Sequence, residues 1–349
     1  GLRDINILRA ISKVTTENIP LEKISASELL LKNVRDALHT VTPKPKDQLM
    51  LTEQDKVALM LNYKDADALM LDVASAARTI DYQVDAIFHS IEHRKKKFDW
   101  SKPVRIGSGI VCVNNEIRFE ESAPLVGKPE IGLRAAATAA QQGLPISPDA
   151  VALININFKP IKSPWSRQAR EDLVSIIGAG APMIKVVEAL DQANLISKWI
   201  PEWEHVRFLP QRNVLHRHTV DRHMLETAVE AAKLTRTVRR PDLLLIASLF
   251  HDIGKGFPDK DHSEYGSELI SKLAKRIGFS NSDIEILELL VREHLTLSTA
   301  ATRRDLDDPQ TILDVVAKVG DLVNLHLLHA SASIKQLVKL PGQNGKQSW

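Results

Sequence analysis

Cysteine is almost missing: the 349 residues contain one, Cys112. A single thiol excludes a disulfide framework and a thiolate zinc site, and fits a reducing, cytoplasmic setting. An excess of either charge is missing too. Forty-six basic residues nearly cancel 44 acidic ones, leaving a formal charge of +2. That argues against a nucleic-acid partner, which asks for a strong basic excess. No apolar run approaches a membrane span and no signal peptide opens the chain, so no membrane association is expected. No internal repeat or low-complexity tract is visible. The chain begins Gly1-Leu2-Arg3-Asp4 without a methionine, as a fragment or processed chain would. What is present is ordinary globular material: 44% of residues are hydrophobic, in a length that accommodates two or three domains.

Most of it reads as helix. Ile5, Ile7, Leu8 and Ile11, then Leu29, Leu30, Val34 and Leu38, recur at helical spacing across 4–39, and similar patterns follow at 53–62 and 65–95. The last of these ends in the charged run Arg94-Lys95-Lys96-Lys97. From Trp100 to Phe119 the character changes. Gly109–Val113 and Glu116–Phe119 are two short β-rich runs around Asn114-Asn115, a hairpin signal. Residues 130–142 are Ala-rich and helical. Pro145, Pro148, Pro160 and Pro164 mark 143–166 as loop or linker. Helices are expected over Ala169–Ile177, Pro182–Asn194 and Leu195–Ile200, and a final helical unit runs from His216 to about Gln336. The tail from Pro341 to Trp349 reads as unstructured. The expected divisions are 1–98, 99–210, 211–336 and 337–349.

The chemistry concentrates at Leu249-Phe250-His251-Asp252-Ile253-Gly254-Lys255-Gly256. Pro241-Asp242 followed by Leu243–Phe250 reads as a capped, buried helix that delivers His251 and Asp252 to a site. Packing alone gives no reason to place an imidazole and a carboxylate there, since buried polar groups need partners. His223 opens another helix. His262 follows in Asp261-His262-Ser263, and Gly266 just beyond permits close helix packing. His294 follows the apolar run Ile284–Leu290. One such histidine alone would read as structural. Four, with an aspartate, on separate helices can converge on a divalent ion. Imidazole and carboxylate suit Mn, Fe, Co, Zn or Mg without choosing among them. Asp252 is placed to bridge two ions, and Lys255 to neutralise phosphate charge. Phosphoester hydrolysis is the expected reaction.

These motifs resemble the HD superfamily of metal-dependent phosphohydrolases. With His216-Arg-His-Thr-Val-Asp-Arg-His223, Val291-Arg-Glu-His-Leu295 and Thr302-Arg-Arg-Asp-Leu-Asp-Asp-Pro309, they resemble more closely the bifunctional uridylyltransferase/uridylyl-removing enzymes of the PII nitrogen-signalling protein, in their actinobacterial form. Gly1–Asp4, Arg35-Asp-Ala-Leu-His39, Asp47, Leu49 and Gln54 are similar to the end of that family's nucleotidyltransferase region and the helices after it. The resemblance implies a mainly α fold: a helical nucleotidyltransferase-associated region, a small β-hairpin insert and a carboxy-terminal all-α HD domain. It implies His223, His251, Asp252, His262 and His294 as metal ligands and Asp252 and Lys255 as catalytic residues, with Mn²⁺ or Mg²⁺ as the ion. The substrate would be nucleotidylated PII, carrying UMP or AMP on a tyrosine. A free nucleotide is the alternative substrate, and a weakened module that only binds PII or nucleotide is the non-catalytic alternative.

The sequence departs from that family pattern in three ways. The Gly-Ser…Asp-x-Asp pattern of the transferase is absent: Gly107-Ser108 has no carboxylate pair behind it, and Asp65-x-Asp67 reads as a helix cap. Transfer of UMP is therefore not expected. No glutamine-sensing ACT domains follow. Ser333 stands where the resemblance places the last metal-ligand Asp, with His326 and His329 as possible replacements. Arg303, Arg304 and His216 are candidate substrate-binding residues, and His218 reads as a hydrogen-bonding structural residue.

Overall fold

A computed structural model describes residues 1–14, 19–94, 103–107, 109–212 and 218–339. His216, the lysines after Arg94, Ser108 and the tail from Pro341 lie outside these residues. The described residues divide into two units, one within 1–94 together with 208–212 and 218–219, the other within 103–207 together with 220–339.

The first unit is built on α1 (Leu2–Val14), α2 (Ser25–Val41), α3 (Leu51–Met60) and α4 (Ala66–Arg94). The helical pattern expected without a break over 4–39 is two helices, with Pro20 and a 3₁₀ turn at Leu21–Ile24 between them. Proline has no N–H to continue a ladder. Asp65 caps α4 as expected, its Oδ1 accepting from the Ala68 amide at 2.8 Å. The long α4 serves two apolar clusters. Leu69 packs with Val34, Leu38 and Val57, while Ile80 and Ile87 pack with Ile5, Leu8 and Ile24.

The second unit opens with β1 (Val104–Gly107), β2 (Ile110–Val113) and β3 (Glu116–Phe119), an antiparallel sheet in that order. The expected hairpin is β2–β3. Asn114 and Asn115 turn it with φ of 52° and 62°, both in the left-handed region that a two-residue turn requires. The third strand, β1, is not expected from the sequence: it is only four residues long, and all four are exposed. Helices α5 (Ile131–Gln142), α6 (Pro148–Ile156), α7 (Arg167–Gly178), α8 (Ala181–Gln192) and α9 (Leu195–Trp199) follow. Helix α6 corrects the reading of 143–166 as loop. Pro148 opens the helix, and the Ser147 hydroxyl before it caps the Ala150 amide.

The remaining helices are α10 (Val220–Lys233), α11 (Pro241–Phe250), α12 (His262–Ile277), α13 (Asn281–Arg292), α14 (Thr296–Arg303), α15 (Pro309–Val319) and α16 (Leu322–Lys339). Every residue of α11 from Leu243 to Phe250 is buried. Leu133, Leu173, Met183, Trp199, Leu225 and Phe250 line one small apolar void, so α5, α7, α8 and α9 share a core with α10 and α11. The fold is mainly α. Among the described residues no single helix is long and apolar enough to cross a membrane.

Candidate metal centre

Helix α11 is held at its start and spent at its end. Pro241 opens it, and Arg240, the residue before, reaches Asp242 at 2.8 Å and also pairs with Asp283 on α13. Asp242 thus binds Arg240 rather than capping the helix. At the far end the chain delivers His251 and Asp252 into the interior, 1% and 3% exposed. His251 follows a helix whose last carbonyls have no intrahelical donor. Its Nδ1 takes one of them, Ser248 O at 2.9 Å. His294, just past the end of α13, does the same, with Nδ1 2.6 Å from Val291 O. A carbonyl only accepts, so both rings carry a proton on Nδ1 and leave Nε2 to meet an ion or a second proton.

Both Nε2 atoms face a carboxylate. His251 Nε2 lies 3.1 Å and His223 Nε2 3.7 Å from Asp252 Oδ2, while His294 Nε2 lies 3.5 Å from Oδ1. His223 sits in the first turn of α10, 7% exposed. Half-buried His262 is the first residue of α12, whose Asp261 cap accepts from the amides of Ser263 and Glu264. Its ring is 5.5 Å from that of His294. Two ligand groups result, His223–His251–Asp252 and Asp252–His262–His294, each with its ligand atoms within 4.8 Å of one another. Asp252 belongs to both and turns a different oxygen toward His294 than toward the first pair.

The donor set fits a divalent ion. His251 Nε2 is buried with no hydrogen-bond partner, and a buried lone pair beside a carboxylate is costly unless a cation or proton joins them. Burial pushes the Asp252 carboxyl up, but His251, His294 and the Lys255 ammonium outweigh it and hold the group well below the usual carboxylate range. The anion is therefore the resident form, as a ligand must be.

Two glycines make the approach possible. A Cβ on Gly254 would overlap the His262 carbonyl and stand 2.8 Å from the Gly266 amide nitrogen. Gly254 thus lets the start of α12, with His262, come down onto the turn after Asp252. Gly256 is similarly restricted by His205, where a Cβ would stand 2.7 Å from the carbonyl oxygen. The Ser248 and Val291 carbonyls, which set the tautomers, escaped the sequence reading. Their only signal is a histidine just past a helix end.

The other candidates are distributed differently. Lys255 Nζ lies 2.8 Å from Asp252 Oδ2 and is partly exposed. Arg304 is exposed and pairs with Asp314 at 2.7 Å, and Arg303 is exposed at the end of α14. The exposed His218 accepts from Gln211 through its carbonyl. Ser333 donates to the His329 carbonyl at 2.9 Å. His326 and His329 are exposed and in neither ligand group.

Comparison with known proteins agrees with this geometry. Residues 220–324 match the HD domain, and residues 15–88 match the family described as GlnD PII-uridylyltransferase. Curated relatives cover 98% of the chain. A bifunctional uridylyltransferase/uridylyl-removing enzyme of Streptomyces coelicolor is 43% identical, with 43% of its own length covered. Its counterparts in Mycobacterium tuberculosis and Corynebacterium glutamicum are 36% and 32% identical, with 44% and 50% covered. The chain thus spans about half the length, or somewhat less, of the relatives it matches. Over nearly all of its own length, it belongs to the family of the bifunctional uridylyltransferase/uridylyl-removing enzymes.

Proposed function

We propose that this chain removes a nucleotidyl group, UMP or AMP, from the PII nitrogen-signalling protein by hydrolysis in the cytoplasm. The P–O bond to the modified side chain breaks, water supplies the new oxygen on phosphorus, and the side-chain oxygen leaves with a proton. The observation that carries this reading is the pair of ligand groups that share Asp252 in a chain of this family. His223, His251 and Asp252 would hold one divalent ion, Mn²⁺ or Mg²⁺, and Asp252, His262 and His294 a second. When bound, such ions supply Lewis-acid activation of the phosphoryl group and of water. The Ser248 and Val291 carbonyls keep two imidazoles in the ligating tautomer. Lys255, at the more open side of Asp252, exchanges that carboxylate for a phosphoryl oxygen and offsets its charge.

Incubation of nucleotidylated PII with the chain and Mn²⁺ should release mononucleotide, and a chelator should stop it. Asp252→Ala should lower the rate by more than about 100-fold, beyond what outer-shell partners of a metal command. Hydrolysis of free nucleotides with nucleotidylated PII left intact would move the reading to the alternative substrate. UMP transfer from UTP lies outside the chemistry we assign, since Asp65 is spent on capping α4 and no Gly-Ser…Asp-x-Asp pattern stands elsewhere. Radiolabelled UTP should therefore leave PII unlabelled.

A further inference from the structure

A cavity of about 260 Å³ lies between the start of α12, the turn joining α13 to α14, and the facing sides of α14 and α15. Its lining includes sequence neighbours of two ligands of the second group: Glu264 stands two residues after His262, and Glu293 and Leu295 flank His294. Its volume falls just below the roughly 300–1,000 Å³ of sites for drug-sized ligands, so it takes something small.

The charges around it are matched. Arg304 pairs with Asp314 at 2.7 Å, Lys318 with Glu293 at 3.3 Å, and Arg292 lies 3.8 Å from Glu293. Cations so partnered do not make an anion site. They fix a rim that offers donors and acceptors together, which is what sugar hydroxyls and the edge of a base require. Thr296 and Thr299 add hydroxyls, and Leu295, Ala300 and Val315 add apolar surface for the face of a ring. The phosphate has its own place, at the ligand groups and Lys255.

We infer that this cavity is the nucleoside pocket of the hydrolase, taking the sugar and base of the nucleotidyl group while the phosphate sits at the histidines and Asp252. The inference rests on the hydrolase reading for where the phosphate goes. It is tested by equilibrium binding of UMP, AMP and inorganic phosphate to the Mn²⁺-loaded chain and to two variants that fill the cavity from opposite walls, Thr299→Phe and Val315→Trp. Thr299 is exposed and Val315 half-buried, and thermal melting and metal content verify that both variants fold and load.

The parent should bind a mononucleotide at least about tenfold more tightly than phosphate. Both variants should lose that advantage while keeping phosphate affinity and metal content. Equal affinity of the parent for mononucleotide and phosphate overturns the inference, and so does undiminished mononucleotide binding in the filled variants. Release of mononucleotide from nucleotidylated PII is scored separately. A parent that releases it without any nucleoside preference keeps the hydrolase and loses the pocket. A parent that binds UMP through this cavity but releases nothing from PII does the reverse.

Discussion

Gly254 stands where one added carbon would press on the backbone that carries His262. Gly254→Ala should cost about 1–3 kcal/mol, the usual range for overpacking, read from urea unfolding. It should also weaken the second ligand group more than the first, because only the second includes His262. Substitution of the ligands separates the groups further. Asp252→Ala should leave no tightly bound ion, whereas His294→Ala should leave one, measured as metal per chain after dialysis. The adjacent His251-Asp252 pair was legible in the sequence because no packing requirement explains it. Its neighbours were legible only in part. A carbonyl clamp such as Ser248 on His251 uses main-chain atoms that every residue has, so it leaves no mark in the residue types. The lining of the cavity beside His294 escaped for another reason: it is assembled from α12, α14 and α15, which only the fold brings together.

At the scale of elements, α13 shows how local signals and a distant partner combine. Ser280 caps the Asp283 amide with its hydroxyl at 3.2 Å, and Asp283 pairs with Arg240 at the head of α11. Burial raises the Asp283 carboxyl, but Arg240 and Ser280 outweigh it and lower its pKa. A carboxyl lowered on folding contributes stability above its unfolded pKa of about 3.9. That contribution is lost as pH falls through the lower folded value. Asp283→Asn should therefore destabilise by roughly 1 kcal/mol at neutral pH, the upper end of what an ion pair at the surface is worth, here the partly buried pair with Arg240. The gap between parent and variant should close as pH falls below 4. Thermal midpoints from pH 7 down to 3 would show it, and a gap that stays constant would count against it. The strongly periodic helices were legible, and so was the β2–β3 turn, because Asn tolerates positive φ. Strand β1 was hidden by its exposure and α6 by its prolines, which read as loop when Pro148 in fact starts a helix behind Ser147.

Across the whole molecule, the helices expected to be a connector share a core with those that carry the histidines. A buried pair fastens their end. Asp191, fully buried, takes Arg207 Nε at 2.9 Å and Trp203 Nε1 at 3.2 Å, and its carbonyl takes Arg207 Nη2 at 2.7 Å. Removing one partner of a buried ion pair typically costs about 3–5 kcal/mol, so Asp191→Ala should fall near the low end of that range in denaturant unfolding, with Arg207 keeping some exposure. Metal binding should stabilise this unit and leave the other untouched. Hydrogen exchange with and without Mn²⁺ should slow in α10–α13 and stay level in α1–α4. The sequence could not show the shared core, because an apolar residue in α8 does not announce which helix it will meet.

One carboxylate serving both ligand groups leaves the loaded centre electrically unbalanced. Under the proposed two-ion loading, two divalent cations would bring four positive charges to neutral imidazoles and a single Asp252, and Lys255 would add a fifth nearby. The phosphate of the proposed substrate would then be the missing counter-anion. By thermodynamic reciprocity, each ion that tightens phosphate binding must itself be held more tightly when phosphate is present. The centre would load most fully while it is working, and an idle molecule would surrender its second ion first.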